Sequence, residues 1–68
     1  MATSSELLEV TNAMIKKLHD DINLLQEQAL RHSVAGDYEK CGDALQKQRE
    51  AIGAQIAMVE AAKYLTKQ

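Results

Sequence analysis

The densest grouping of side chains suited to metal or proton-transfer chemistry is His19 followed directly by Asp20 and Asp21. Metal ligands on a helix must sit three or four residues apart to share a face. Consecutive residues diverge by about 100° around a helix, so these three point apart. The four-residue spacings here, Lys16 to Asp20 and Lys17 to Asp21, are those of ion pairs on a solvated face. Glu27 with Arg31 and Asp43 with Lys47 share that spacing. His32 and Cys41 lie on either side of an expected chain reversal, but together they offer two ligands where a structural zinc site needs about four. The sequence has neither a Ser-His-Asp nor a Cys-His constellation, and no glycine-rich loop between strand and helix to cradle phosphate. The expectation is a non-enzymatic protein without catalytic residues, metal or cofactor.

The elements that hold these residues follow from hydrophobic spacing. Leu8, Thr11, Ile15, Leu18, Ile22, Leu25 and Ala29 recur in steps of three and four, as one face of a long helix requires. Thr3-Ser4-Ser5-Glu6 has capping-box spacing at its start. Arg31 and His32 complement the exposed carbonyls of its last turn. Gly36 is a natural left-handed stop and Asp37 a natural cap for the next helix. Proline is absent. The chain therefore reads as a single all-α domain over 1–68, an antiparallel, coiled-coil-like two-helix hairpin. Its first helix is expected over about 4–33, the turn over 34–37, and the second helix over about 38–66.

In the second helix the stripe Tyr38, Cys41, Leu45, Gln48, Ile52 is expected to face the first helix. Gln48 would set the register of the seam, and Gln55 would lie at its edge and reach water. Beside that stripe runs the column Ala44, Ala51, Met58, Leu65. Gly53, Ala54, Ala57 and Ala61 put small residues on another side, where a further helix can approach closely. Leu7, Val10, Met14, Leu24 and Leu30 flank the stripe of the first helix. One hairpin cannot bury stripes and flanks together, and a chain of 68 residues is short for a self-sufficient core. The fold is thus expected to be completed by self-association or by a partner protein. The partner-binding residues would be Leu7, Val10, Met14, Ala51, Ala54, Met58 and Leu65.

Charge narrows the partners. Eight Lys and Arg against ten Asp and Glu leave a net charge of −2, and the aromatic residues are two tyrosines. Neither a basic excess nor a stacking platform for bases is present, so nucleic acid is not expected as a partner. The longest apolar run is far short of the ~20 residues of a membrane span. The start of the chain lacks the pattern of a signal peptide. The single cysteine rules out an internal disulfide framework. These features lead to the expectation of a soluble cytoplasmic protein.

Gly36, Tyr38, Ala51, Ile52 and Val59 carry a resemblance to the small E-type co-chaperones of bacterial type III secretion needle subunits. The resemblance spans most of the chain: its length, the glycine turn near its midpoint, the tyrosine soon after, and an Ala-Ile pair about two heptads on. The chain departs from the family pattern near the end of the second helix, where many members have an aromatic and Tyr64 is the only candidate here. The resemblance implies a hairpin that packs against a larger tetratricopeptide partner and helps keep the needle subunit soluble in the cytoplasm. Arg49, Glu50, Ala54, Glu60, Ala61 and Tyr64 are also similar to the closing helix of small phage hairpin proteins that sequester cyclic nucleotides, without that family's threonine and paired glutamates. That similarity implies the alternative, a homo-oligomeric helical bundle acting as a regulator or ligand-sequestering inhibitor.

Overall fold

The computed structural model describes residues 3–67. Helix α1 runs Ser4–Val34 and helix α2 runs Tyr38–Thr66, packed against each other as an antiparallel hairpin of about 50 × 16 × 14 Å. The expected all-α hairpin is the observed fold, with α1 one residue longer than its spacing predicts.

Local chemistry sets the ends. The Thr3 hydroxyl accepts a hydrogen bond from the Glu6 amide at 3.1 Å, satisfying one of the free donors of the first turn. At the reversal the Asp37 amide donates to the His32 carbonyl at 2.8 Å, and the Gly36 amide donates to Ser33 at 3.0 Å. These are the two bonds of a Schellman motif, which requires a left-handed residue between them. Gly36 supplies it with φ of 78°. The Asp37 carboxylate then accepts from the Lys40 amide at 3.1 Å and opens α2. Three residues thus close one helix and start the next.

The seam is a heptad seam on both helices, but its two sides differ. From α1 it takes Leu8, Thr11, Ile15, Leu18, Ile22, Leu25, Ala29 and His32, all half-buried or buried. The Thr11 hydroxyl donates to the Leu7 carbonyl at 2.7 Å, so its polar atom is satisfied within α1 and the residue can be buried in the seam. From α2 the seam takes Cys41, Ala44, Gln48, Ala51, Gln55, Met58, Ala62 and Leu65. The only buried apolar residues among those described are Ala29 and Ala44, at 3% and 6% exposure. Small residues on α2 let its backbone approach the large side chains of α1.

This arrangement corrects the expected stripe of α2. Cys41 and Gln48 do face the seam, but Tyr38, Leu45 and Ile52 are exposed, Ile52 at 40%. The inward column is instead Ala44, Ala51, Met58, Leu65. The glutamines explain the choice. Gln48 donates through Nε2 to the Ile22 carbonyl at 3.3 Å and to Gln26 Oε1 at 2.9 Å. Gln55 donates to the Ile15 carbonyl at 3.4 Å, seven residues away on both helices. Gln55 therefore belongs to the seam and does not sit at a wet edge. With two glutamines pinned to α1, the heptad step brings alanines inward and carries the larger Leu45, Ile52 and Val59 out.

Candidate protein-docking faces

The hairpin has two broad faces, and two sets of contacts identify which side chains share each. A shallow groove of about 180 Å³ is lined by Gln28 and His32 of α1 and by Lys40, Asp43, Ala44 and Lys47 of α2. These residues therefore lie on one face. Gln48 reaches Gln26 across the seam, and these two lie on the other.

Heptad steps extend both assignments along the helices. Leu7 and Met14 fall in the column of Gln28, and Ala54 falls in the column of Lys40 and Lys47. Ala51, Met58 and Leu65 fall in the column of Ala44, and Val10 lies one column outside Leu7. All seven residues expected to bind a partner thus share the grooved face, with Ala51 at its middle and the other six in the half away from the turn. They are not equivalent. Leu7, Val10, Met14 and Ala54 are exposed, Val10 at 59%. Ala51, Met58 and Leu65 are half-buried in the seam, where they floor the face and hold the hairpin together. The expectation that they form an outer column of α2 is corrected accordingly.

Along this face the chemistry changes. Toward the turn it is mostly polar, with Lys40, Lys47, His32 and Asp43 lining the groove, although Leu24, in the column of Val10, is exposed there at 52%. Lys40 also lies 3.8 Å from the Asp37 carboxylate, and a second exposed ion pair joins Lys63 to Glu60 at 3.2 Å. Such pairs contribute about 0–1 kcal/mol each. Away from the turn the face is apolar on α1 and small on α2.

The opposite face has another pattern. Leu45, Ile52, Val59 and Ile56 of α2 are exposed there, and the flank of α1 that borders the seam on this side is Asn12, His19, Gln26 and Ser33. Sequence reading placed Leu45 and Ile52 inside and so missed this strip. The seven-residue spacing of Gln48 and Gln55 bears on it but does not by itself choose between the two apolar columns.

The chemistry-bearing residues do not converge. The His19 ring is 3.3 Å from the Asn23 side-chain amide, one turn along the same helix. Cys41 is a half-buried free thiol. Among the described residues no three His, Cys, Asp or Glu side chains gather where they could hold a metal ion. No described helix is long and apolar enough to cross a membrane. The chain matches no known family model, and neither the curated proteins nor the solved structures include a significant match.

Proposed function

We propose that this chain acts by binding another protein, with the half of its grooved face away from the turn as the docking surface. The observation that carries the reading is the exposure of Leu7, Val10 and Met14 together beside the small Ala54. Three large apolar side chains on one helix, next to a helix that offers little bulk, form a shelf onto which a partner helix can pack closely. The polar half near the turn would orient that partner, because only one direction of docking keeps apolar on apolar.

The setting that suits such a hairpin best is a cytoplasmic co-chaperone of the type III secretion kind. A tetratricopeptide partner would cover the shelf, and the pair would keep a needle subunit soluble. This proposal rests on the resemblance at Gly36, Tyr38, Ala51, Ile52 and Val59 and on the shape of the hairpin. Catalysis has no part in it.

Co-expression with a tetratricopeptide needle chaperone and its needle subunit tests the proposal, with native mass spectrometry as the readout. A discrete complex containing this chain is expected. Val10→Asp and Met14→Asp should abolish it, and Lys47→Ala should leave it intact. A complex indifferent to Val10→Asp and Met14→Asp contradicts the assignment of the docking face. Absence of any complex contradicts the co-chaperone setting.

A further inference from the structure

The strip on the ungrooved face has a symmetry that the docking shelf lacks. Leu45, Ile52 and Val59 recur every seven residues, and the same column begins at Tyr38 and ends at Thr66, with no charged residue in it. Ile56 lies exposed in the next column, at 59%. A heptad column stays in line along a supercoiled pair of helices, so these side chains form one straight ridge. Ile52 is the midpoint of α2, which runs Tyr38–Thr66. Leu45 and Val59 stand seven residues to either side of it.

We infer that this ridge is where a second copy of the chain docks, α2 against α2 and antiparallel, about a twofold axis through Ile52. An interface between identical copies must be self-complementary, with residue i on j wherever j is on i. A twofold at Ile52 meets that condition. It sets Ile52 on Ile52, Leu45 on Val59 and Tyr38 on Thr66, and it overlaps the full 29 residues of α2, about 43 Å. The same operation leaves the two Arg49 side chains about 9 Å apart along the axis, so like charges are not stacked. A twofold perpendicular to the grooved face at its middle does not do this, since it would lay the apolar half on the polar half.

The exposed area is large enough to accommodate a second copy. The chain has 5241 Å² of accessible surface at a mass of 7.5 kDa. A compact monomer of that mass exposes about 4,200 Å². The excess, about 1,000 Å², follows from the elongated 50 × 16 × 14 Å shape, and it is no smaller than the area each partner buries in a stable dimer, about 800 Å². The dimer leaves the shelf of Leu7, Val10 and Met14 free, so this inference does not depend on the proposed docking partner.

Cysteine cross-linking of the full chain in a Cys41→Ser background tests the axis, with sedimentation equilibrium for mass and circular dichroism for fold. Ile52→Cys should oxidise to a covalent dimer, because a residue on the twofold meets its own copy. Leu45→Cys and Val59→Cys should each cross-link poorly alone and efficiently when mixed. Ile52→Asp should halve the mass while keeping helicity, and Val10→Asp should leave the dimer unchanged. A chain that stays monomeric up to millimolar concentration overturns the inference. So does a dimer that Val10→Asp dissociates, or one in which Ile52→Cys cross-links no better than Val10→Cys.

Discussion

The two helices use their large apolar residues in opposite ways. Helix α1 turns Leu8, Ile15, Leu18, Ile22 and Leu25 into the seam, all at least half-buried. Helix α2 turns in alanines, glutamines, Cys41, Met58 and Leu65, and leaves Leu45, Ile52, Ile56 and Val59 exposed. A helix that only had to hold the hairpin closed would bury its bulkiest stripe, since each large side chain buried is worth about 1.5–3 kcal/mol. With alanine and glutamine in the seam, the bulkiest stripe of α2 is left exposed. The seam is narrow because one side is small. The ridge is exposed because the seam is already filled.

The contrast can be broken most sharply by placing the same charge on each helix. Ile22→Asp puts an unpaired carboxylate against the seam and should unfold the isolated hairpin, a loss of about 3 kcal/mol or more. Ile52→Asp sits on the exposed ridge, and its helical signal should survive in the monomer. Circular dichroism at low concentration separates the two. Equal unfolding by both substitutions would show that Ile52 is structural and that the ridge belongs to the core.

Glycine substitutions sharpen the comparison at the next level. Gly36 has φ of 78°, and although a Cβ there meets open space, the conformation itself is strained for other residues. Gly36→Ala should cost about 1–2 kcal/mol. A Cβ at Gly53 also meets nothing within 4 Å, but Gly53 lies inside a helix. Gly53→Ala should therefore stabilise the isolated hairpin by up to about 1 kcal/mol. Urea denaturation reads both signs. Asp37→Ala should cost about 1 kcal/mol by removing the cap of α2. Gln48→Leu has the smallest expected effect on stability, neutral to slightly stabilising, because the Ile22 carbonyl keeps its helical donor. Its register should loosen, seen as heterogeneous amide exchange across the seam.

Most of the fold was legible in the sequence because its signals are local. Thr3, Gly36 and Asp37 announce the helix ends through their own conformational preferences, and the stripe of α1 is unambiguous because its steps of three and four run unbroken from Leu8 to Ala29. The orientation of α2 was not legible, because two apolar columns lie side by side there. Periodicity finds the period but cannot choose between Leu45-Ile52-Val59 and Ala44-Ala51-Met58. Size suggested the first. Packing against the bulky side of α1, with Gln48 and Gln55 donating to its carbonyls, selects the second. The residues expected to bind a partner divide for the same reason. Leu7, Val10 and Met14 follow from α1, which was read correctly, whereas Ala51, Met58 and Leu65 follow from α2, which was rotated by about one column.

The central claim is that these two helices carry apolar surface meant for contact beyond the hairpin. Thermal unfolding of the full chain, followed by circular dichroism over a wide range of protein concentration, tests it most directly. Mass action requires the midpoint to rise with concentration when the folded form is an assembly. A midpoint that climbs from micromolar to millimolar, and stops climbing in Ile52→Asp, is the predicted result. A midpoint that stays constant over that range, in both the parent and the variant, would contradict the account.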